Sequence, residues 1–153
     1  MKKLLKIGMI TGLVCAFTVS PIMVNASNIN EQATESYVED TEYSVQRASL
    51  LSYGNSRLKK LSSNSVSVYG VTQCHRLCDD VYLSLYLERK VDGYYSTYKS
   101  WDYSTTDATS LSKSLVVSVP SGYYYRVRAY HAVSDSGSSK ESISTLTEGI
   151  YVG

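Results

Sequence analysis

The sequence predicts an all-β fold: a single antiparallel β-sandwich of about seven strands, with closure into a small barrel as the alternative. Three observations predict it. Val81–Glu88 (VYLSLYLE) alternates apolar and polar residues without a break, which gives a period-two strand one buried face. Short runs of this kind are separated by turn signals, among them Asp92-Gly93 and Pro120-Ser121-Gly122. Past the first 26 residues the chain is rich in Tyr, Val, Ser and Thr and shows no helical pattern.

The chain opens on an export signal. Lys2, Lys3 and Lys6 form a positive start, and Ile7–Val24 carries no charge. Pro21 breaks the run, and Val24-Asn25-Ala26 places small or aliphatic residues for cleavage after Ala26. The alternative is an uncleaved anchor. Its 18 uncharged residues sit at the lower edge for a span and are diluted by Gly and Thr. Removing 26 of the 153 residues leaves 127, enough for one core. Losing three lysines takes the net charge from +1 to −2. Every Met and the only Phe leave as well, so the aromatic content becomes 15 Tyr and Trp101. Tyrosine suits a thin sandwich, where a ring is buried while its hydroxyl reaches water or a partner.

Residues 27–46 read as an acidic, disordered leader. Glu31, Glu35, Glu39, Asp40 and Glu42 follow one another with no base between them. Residues 47–153 form the sandwich domain. Ser56–Leu61 and Ser65–Thr72 flank a turn at Ser62-Ser63-Asn64, with Val66 and Val68 on one face. In Val81–Glu88 the inward set is Val81, Leu83, Leu85 and Leu87; a helix would put Leu83 and Leu85 about 200° apart. Tyr94–Tyr103 returns antiparallel, with Tyr95, Trp101 and Tyr103 on one face and Tyr94 and Tyr98 on the other. Residues 104–110 (STTDATS) read as a loop. Leu111–Val119 and Tyr123–Val133 alternate again, and a last strand or two fills Glu141–Val152.

The stretch Pro120-Ser121-Gly122-Tyr123-x-Tyr125-x-Val127-x-Ala129 resembles the E–F corner and F strand of fibronectin type III-like modules. The resemblance implies that Tyr123 is the corner tyrosine, its hydroxyl bonded back to the turn, with Gly137 and Ser138–Ser142 as the F–G loop and start of G. The sole Trp101 departs from the pattern, lying in the fourth strand rather than an early core strand. The whole chain also resembles small uncharacterised secreted β-domain proteins of Gram-positive bacteria, which end in a YYYRVRAYH-like strand and a GIYV-like terminus. That resemblance implies fold and localisation and carries no activity.

Candidate chemistry is sparse. Cys74 and Cys78 are the two cysteines left after cleavage, and outside the cytoplasm a close pair predicts a disulfide. The alternative is a metal held by Cys74, His75 and Cys78 with Asp79 or His131, but structural zinc sites add a second cysteine pair. No metal and no cofactor is expected. His131 falls on the inward face of its strand. No serine is marked by a nucleophile elbow or a placed histidine, so no catalytic residue is expected and the chain reads as non-enzymatic. The surface that stands out is Tyr124, Arg126, Arg128 and Tyr130, alternating on one face of a strand, as Tyr82 with Tyr86 and Tyr94 with Tyr98 do on others. Tyr and Arg dominate binding hot spots.

The expectation is a secreted binding or structural module at the cell envelope, its partner a glycan, a wall polymer or a protein. Nucleic acid is not expected at this charge, nor a membrane after cleavage. The alternative is a secreted bacteriocin-like effector with the acidic leader as pro-segment.

Overall fold

The structure, a computed structural model, describes residues 36–45, 50–136 and 140–153. It is all-β. Seven antiparallel strands follow in chain order: β1 (Tyr37–Tyr43), β2 (Leu51–Ser62), β3 (Ser65–Val91), β4 (Tyr94–Ser118), β5 (Tyr123–Ser134), β6 (Glu141–Leu146) and β7 (Ile150–Val152). The proposed signal peptide, residues 27–35 and Gly137 lie outside the described residues.

One ribbon organises the fold. β3 is 27 residues long and β4 is 25, and they pair as a hairpin from Ser65↔Ser118 to Val91↔Tyr94. The Asp92-Gly93 turn closes it with both residues at positive φ (50° and 87°), the conformation such turns need. The first half of β3 pairs with β2, from Leu51↔Cys74 to Ser62↔Ser65. The second half pairs with β5, from Asp80↔Ser134 to Arg89↔Tyr125. β1 extends β2, and β6 and β7 extend β5. Between these halves the pairing breaks from Gln73 to Cys78. There the sheet folds over, bringing β2 across from β5 and β6 and leaving β1 beside β6. The layers are nearly closed: Asp40 on β1 accepts the Leu146 N–H of β6 at 2.7 Å.

The alternating positions fill the space between the layers. Leu51, Leu58, Val66 and Val68 come from one side; Val81, Leu83, Leu85, Leu87, Tyr125, Val127 and Val133 come from the other, all fully buried. Gly70 lets them close, since a Cβ there would lie 2.6 Å from a Leu85 methyl.

Four expectations are corrected. Tyr37–Tyr43 is not part of a disordered leader but edge strand β1, paired from Tyr37↔Lys59 to Tyr43↔Tyr53. Its acids find partners across the strand boundary: Glu39 pairs with Arg57 (3.3 Å) and Asp40 with the Leu146 amide. Residues 104–110 are not a loop but belong to β4, paired through Thr106↔Asp80 and Ala108↔Cys78. β4 borders only β3 among the described strands, so its polar residues face solvent without a burial cost. The expected faces of Tyr95 and Tyr98 are exchanged. Thr97 pairs with Glu88 and Lys99 with Leu87, so Tyr98 is an extra, bulged residue and the alternation changes phase there. Tyr98 packs on the core, edge-on to Tyr125 at 6.0 Å, while Tyr95 turns outward against Arg126. Finally, the tyrosine whose hydroxyl bonds back to the turn is Tyr125, to the Pro120 carbonyl at 2.8 Å. Tyr123 instead lies under the Arg89 guanidinium at 4.7 Å.

Candidate functional site

The outer face of the β3–β5 layer carries the residues that alternate away from the core. Register fixes their order: Ser84 opposes Tyr130, Tyr86 opposes Arg128, and Glu88 opposes Arg126. On the other side of β3, Asp102 opposes Ser84 and Ser104 opposes Tyr82. Cross-strand neighbours on one face lie about 5 Å apart, and next-but-one residues along a strand about 7 Å.

Three of the four expected face residues come together around Glu88 and Ser84. Glu88 is only 6% exposed, although its position on the strand reads as an outward polar residue. Arg126 Nε donates to its Oε2 at 2.7 Å and Arg128 Nε to its Oε1 at 2.9 Å. Burial alone would raise the carboxyl's pKa. The hydrogen bonds from Arg128 and Arg126, with their charges, outweigh it and hold Glu88 below the ordinary carboxylate range. Each guanidinium also stacks on a ring, Arg126 on Tyr95 (4.1 Å) and Arg128 on Tyr86 (4.0 Å). The cations are therefore fixed by a hydrogen bond below and an aromatic face beside them.

Next along the face is a depression of about 270 Å³ lined by Tyr82, Ser84, Asp102, Tyr103, Ser104, Tyr130 and Lys140. Lys140 Nζ lies 3.8 Å from the Tyr82 ring centre. Tyr130 is half-buried, and among the described residues no cation or second ring covers its face. The fourth expected residue, Tyr124, continues the same alternation one step past Arg126, acts electrostatically on Tyr95 and packs on Tyr151 at 5.2 Å. Sequence reading missed Glu88, Ser84, Asp102, Ser104 and Lys140. The Tyr82/Tyr86 alternation was the only signal available for that half of the face.

Cys74 and Cys78 close the fold-over between the layers. Both are buried, and in this structure each is a free thiol. Burial, then the hydrogen bond and charge of Cys78, pushes the Cys74 thiol up to about 12, and burial raises Cys78, so the protonated form dominates. The exposed stretch of β3 there is clasped to the end of β5. Arg76 pairs with Asp135 at 2.7 Å, Asp135 accepts the Asp79 amide at 2.9 Å, and Asp79 accepts the Ser136 amide at 2.6 Å. Asp79, a candidate ligand, is thus used as a structural acceptor. Among the described residues no group of three His, Cys, Asp or Glu is placed to hold a metal.

His131 is fully buried between the layers. Its Nδ1 lies 3.1 Å from the Thr72 hydroxyl and its Nε2 3.0 Å from the Thr145 hydroxyl, which in turn contacts Ser56 at 2.8 Å. Thr72 donates to the Tyr82 carbonyl and Thr145 to the Ser56 hydroxyl. Burial pushes the ring down to about 4, against a small opposing pull from Asp40. The ring is a neutral cross-tie between the layers, remote from the outer face.

No curated protein and no solved structure matches the chain. A family model does match, over residues 20–149, most of the length. The chain belongs to a family of unknown function, DUF6147.

Proposed function

We propose that this chain is a secreted, non-enzymatic module that binds a glycan of the cell envelope on the outer face of the β3–β5 layer. The observation that carries this reading is the Tyr82–Tyr130 depression. Its volume, about 270 Å³, falls just below the range of drug-sized ligand pockets and suits one sugar ring. Tyr130, which lines the depression, offers an aromatic ring for the apolar side of that sugar. Ser84, Asp102 and Ser104 on the floor and wall supply hydroxyl and carboxylate partners for its polar edge. Residues 1–26 carry the export half of the proposal.

The effector reading needs residues through about 46 to be shed. Shedding them would remove β1, with its seven paired positions on β2 and its bond to β6, so the binding reading is preferred. The test is a glycan array probed with the exported protein and with Tyr130→Ala. Loss of a stacking face is expected to weaken capture at least about tenfold, or 1.4 kcal/mol. Equal capture by both proteins would place the site elsewhere.

A further inference from the structure

The two arginines beside the depression have more donors than their own carboxylate uses. Glu88 presents two oxygens, and each is taken by the Nε of one arginine. One negative charge thus holds two positive ones. The terminal Nη groups of both remain, and among the described residues no acceptor meets them. The side chains are 27% and 40% exposed, so those donors reach solvent. They are not free to wander, because Tyr95 and Tyr86 each hold one guanidinium plane. A salt bridge with a purely structural role would need one guanidinium. A buried acid that orients two, each locked on a ring, is a pre-organised receptor for anions.

Spacing adds direction. Tyr130, Arg128 and Arg126 follow one another at every second residue of β5, about 7 Å per step. The row therefore reads ring, cation, cation. Lys140 stands over Tyr82 at the depression, and Lys90 lies 5.6 Å from the Tyr95 ring at the far end. The acids on the same face are Glu88, already paired, Asp80 two residues before Tyr82, which accepts the Ser134 hydroxyl at 3.2 Å, Asp102 in the lining of the depression, and Glu148 near Tyr95.

Building on the glycan reading above, we infer that the ligand is an acidic polysaccharide, laid along β5 with one sugar ring in the Tyr130 depression and its anionic groups on Arg128 and Arg126. Glu88, Tyr86 and Tyr95 act as positioning residues for those cations.

The test compares matched probes that differ in charge alone. Polygalacturonate and its fully methyl-esterified form share a backbone, and the glycan array carries further neutral and carboxylated, sulfated or phosphorylated pairs. Acidic members are expected to bind at least about tenfold tighter at low salt, with the gap closing as salt rises. Arg128→Gln, which keeps an amide donor for Glu88, is expected to narrow the gap between acidic and neutral members, and Arg126→Gln with Arg128→Gln to abolish it. If those variants fail to fold, the salt dependence of the unmodified protein still decides. Equal binding of acidic and neutral partners overturns this inference and leaves the depression reading standing. Capture of no glycan overturns both. Equal affinity for inorganic polyphosphate, which has charge and no sugar, overturns the glycan assignment.

Discussion

Acidifying the protein from about pH 7 to about pH 5 is expected to remove roughly 2 kcal/mol of stability through His131 alone, rising to about 3 kcal/mol near pH 4. In the folded chain burial holds the ring's pKa down to about 4, against an ordinary value of 6.5. The unfolded chain, with its histidine in water, takes up a proton below about 6.5. Between those two values the unfolded state binds a proton that the native state does not. The stabilisation is therefore present in full above about pH 6.5, shrinks as pH falls, and is gone by about pH 4. A gap of about 2.5 units at 1.36 kcal/mol each sets the ceiling near 3 kcal/mol. The charged ring is the costly form because Thr72 and Thr145 can bond the neutral imidazole but cannot replace the hydration of an imidazolium. Carboxylates whose pKa is lowered in the fold, such as Glu88 and Asp79, lose their contribution only below about pH 4.5, so the upper window isolates the histidine. Urea denaturation across this range reads the effect as a midpoint shift of about 1–2 M. Ring-proton NMR titration gives the pKa of His131 directly. A flat midpoint between pH 7 and 5, with a ring that titrates near 6.5, would refute the cross-tie reasoning.

Three other outcomes follow from the packing. Gly54→Ala would place a Cβ 2.3 Å from the His131 ring, so overpacking is expected to cost about 1–3 kcal/mol in a thermal or urea melt; an unchanged melt would contradict the tight seating of that ring. Tyr125→Phe removes the hydroxyl that bonds to Pro120 and is expected to cost about 1 kcal/mol, while Tyr123→Phe, which leaves that bond in place, is expected to be near neutral. We propose that Cys74 and Cys78 oxidise when the chain folds in the presence of oxidised glutathione: two thiols form one disulfide, and two glutathione thiols are released. Intact mass should fall by two hydrogens and alkylation after denaturation should find no thiol; two alkylated cysteines would exclude the bond.

How far the sequence could be read depended on what each residue's partner was. Val66, Val68 and the Val81–Leu87 series were legible because burial on one face imposes strict alternation, and the same rule places Leu111, Val117 and Val119 inside. β1 was not legible. Its acids look unpaired along the chain, and their partners Arg57 and the Leu146 amide are 18 and 106 residues away. The polar run 104–110 looked like a loop because a strand bordering one neighbour, with open solvent beyond, has no need of apolar residues. The Tyr98 bulge changed the phase of β4, which no alternation pattern can announce before the register is known. Of the site, Arg126, Arg128 and Tyr130 were visible as an alternating set. Glu88 was hidden because its burial comes from the arginines of another strand.

The binding face is tested most directly by amide chemical-shift mapping with the tightest ligand from the glycan array. The expected shifts fall on Tyr82–Glu88, Asp102–Ser104 and Arg126–Tyr130, with the outer face of the β2–β3 pairing around Arg57 and Tyr69 silent. Shifts centred on Arg57 and Tyr69, with the Tyr130 depression unmoved, would contradict the assignment.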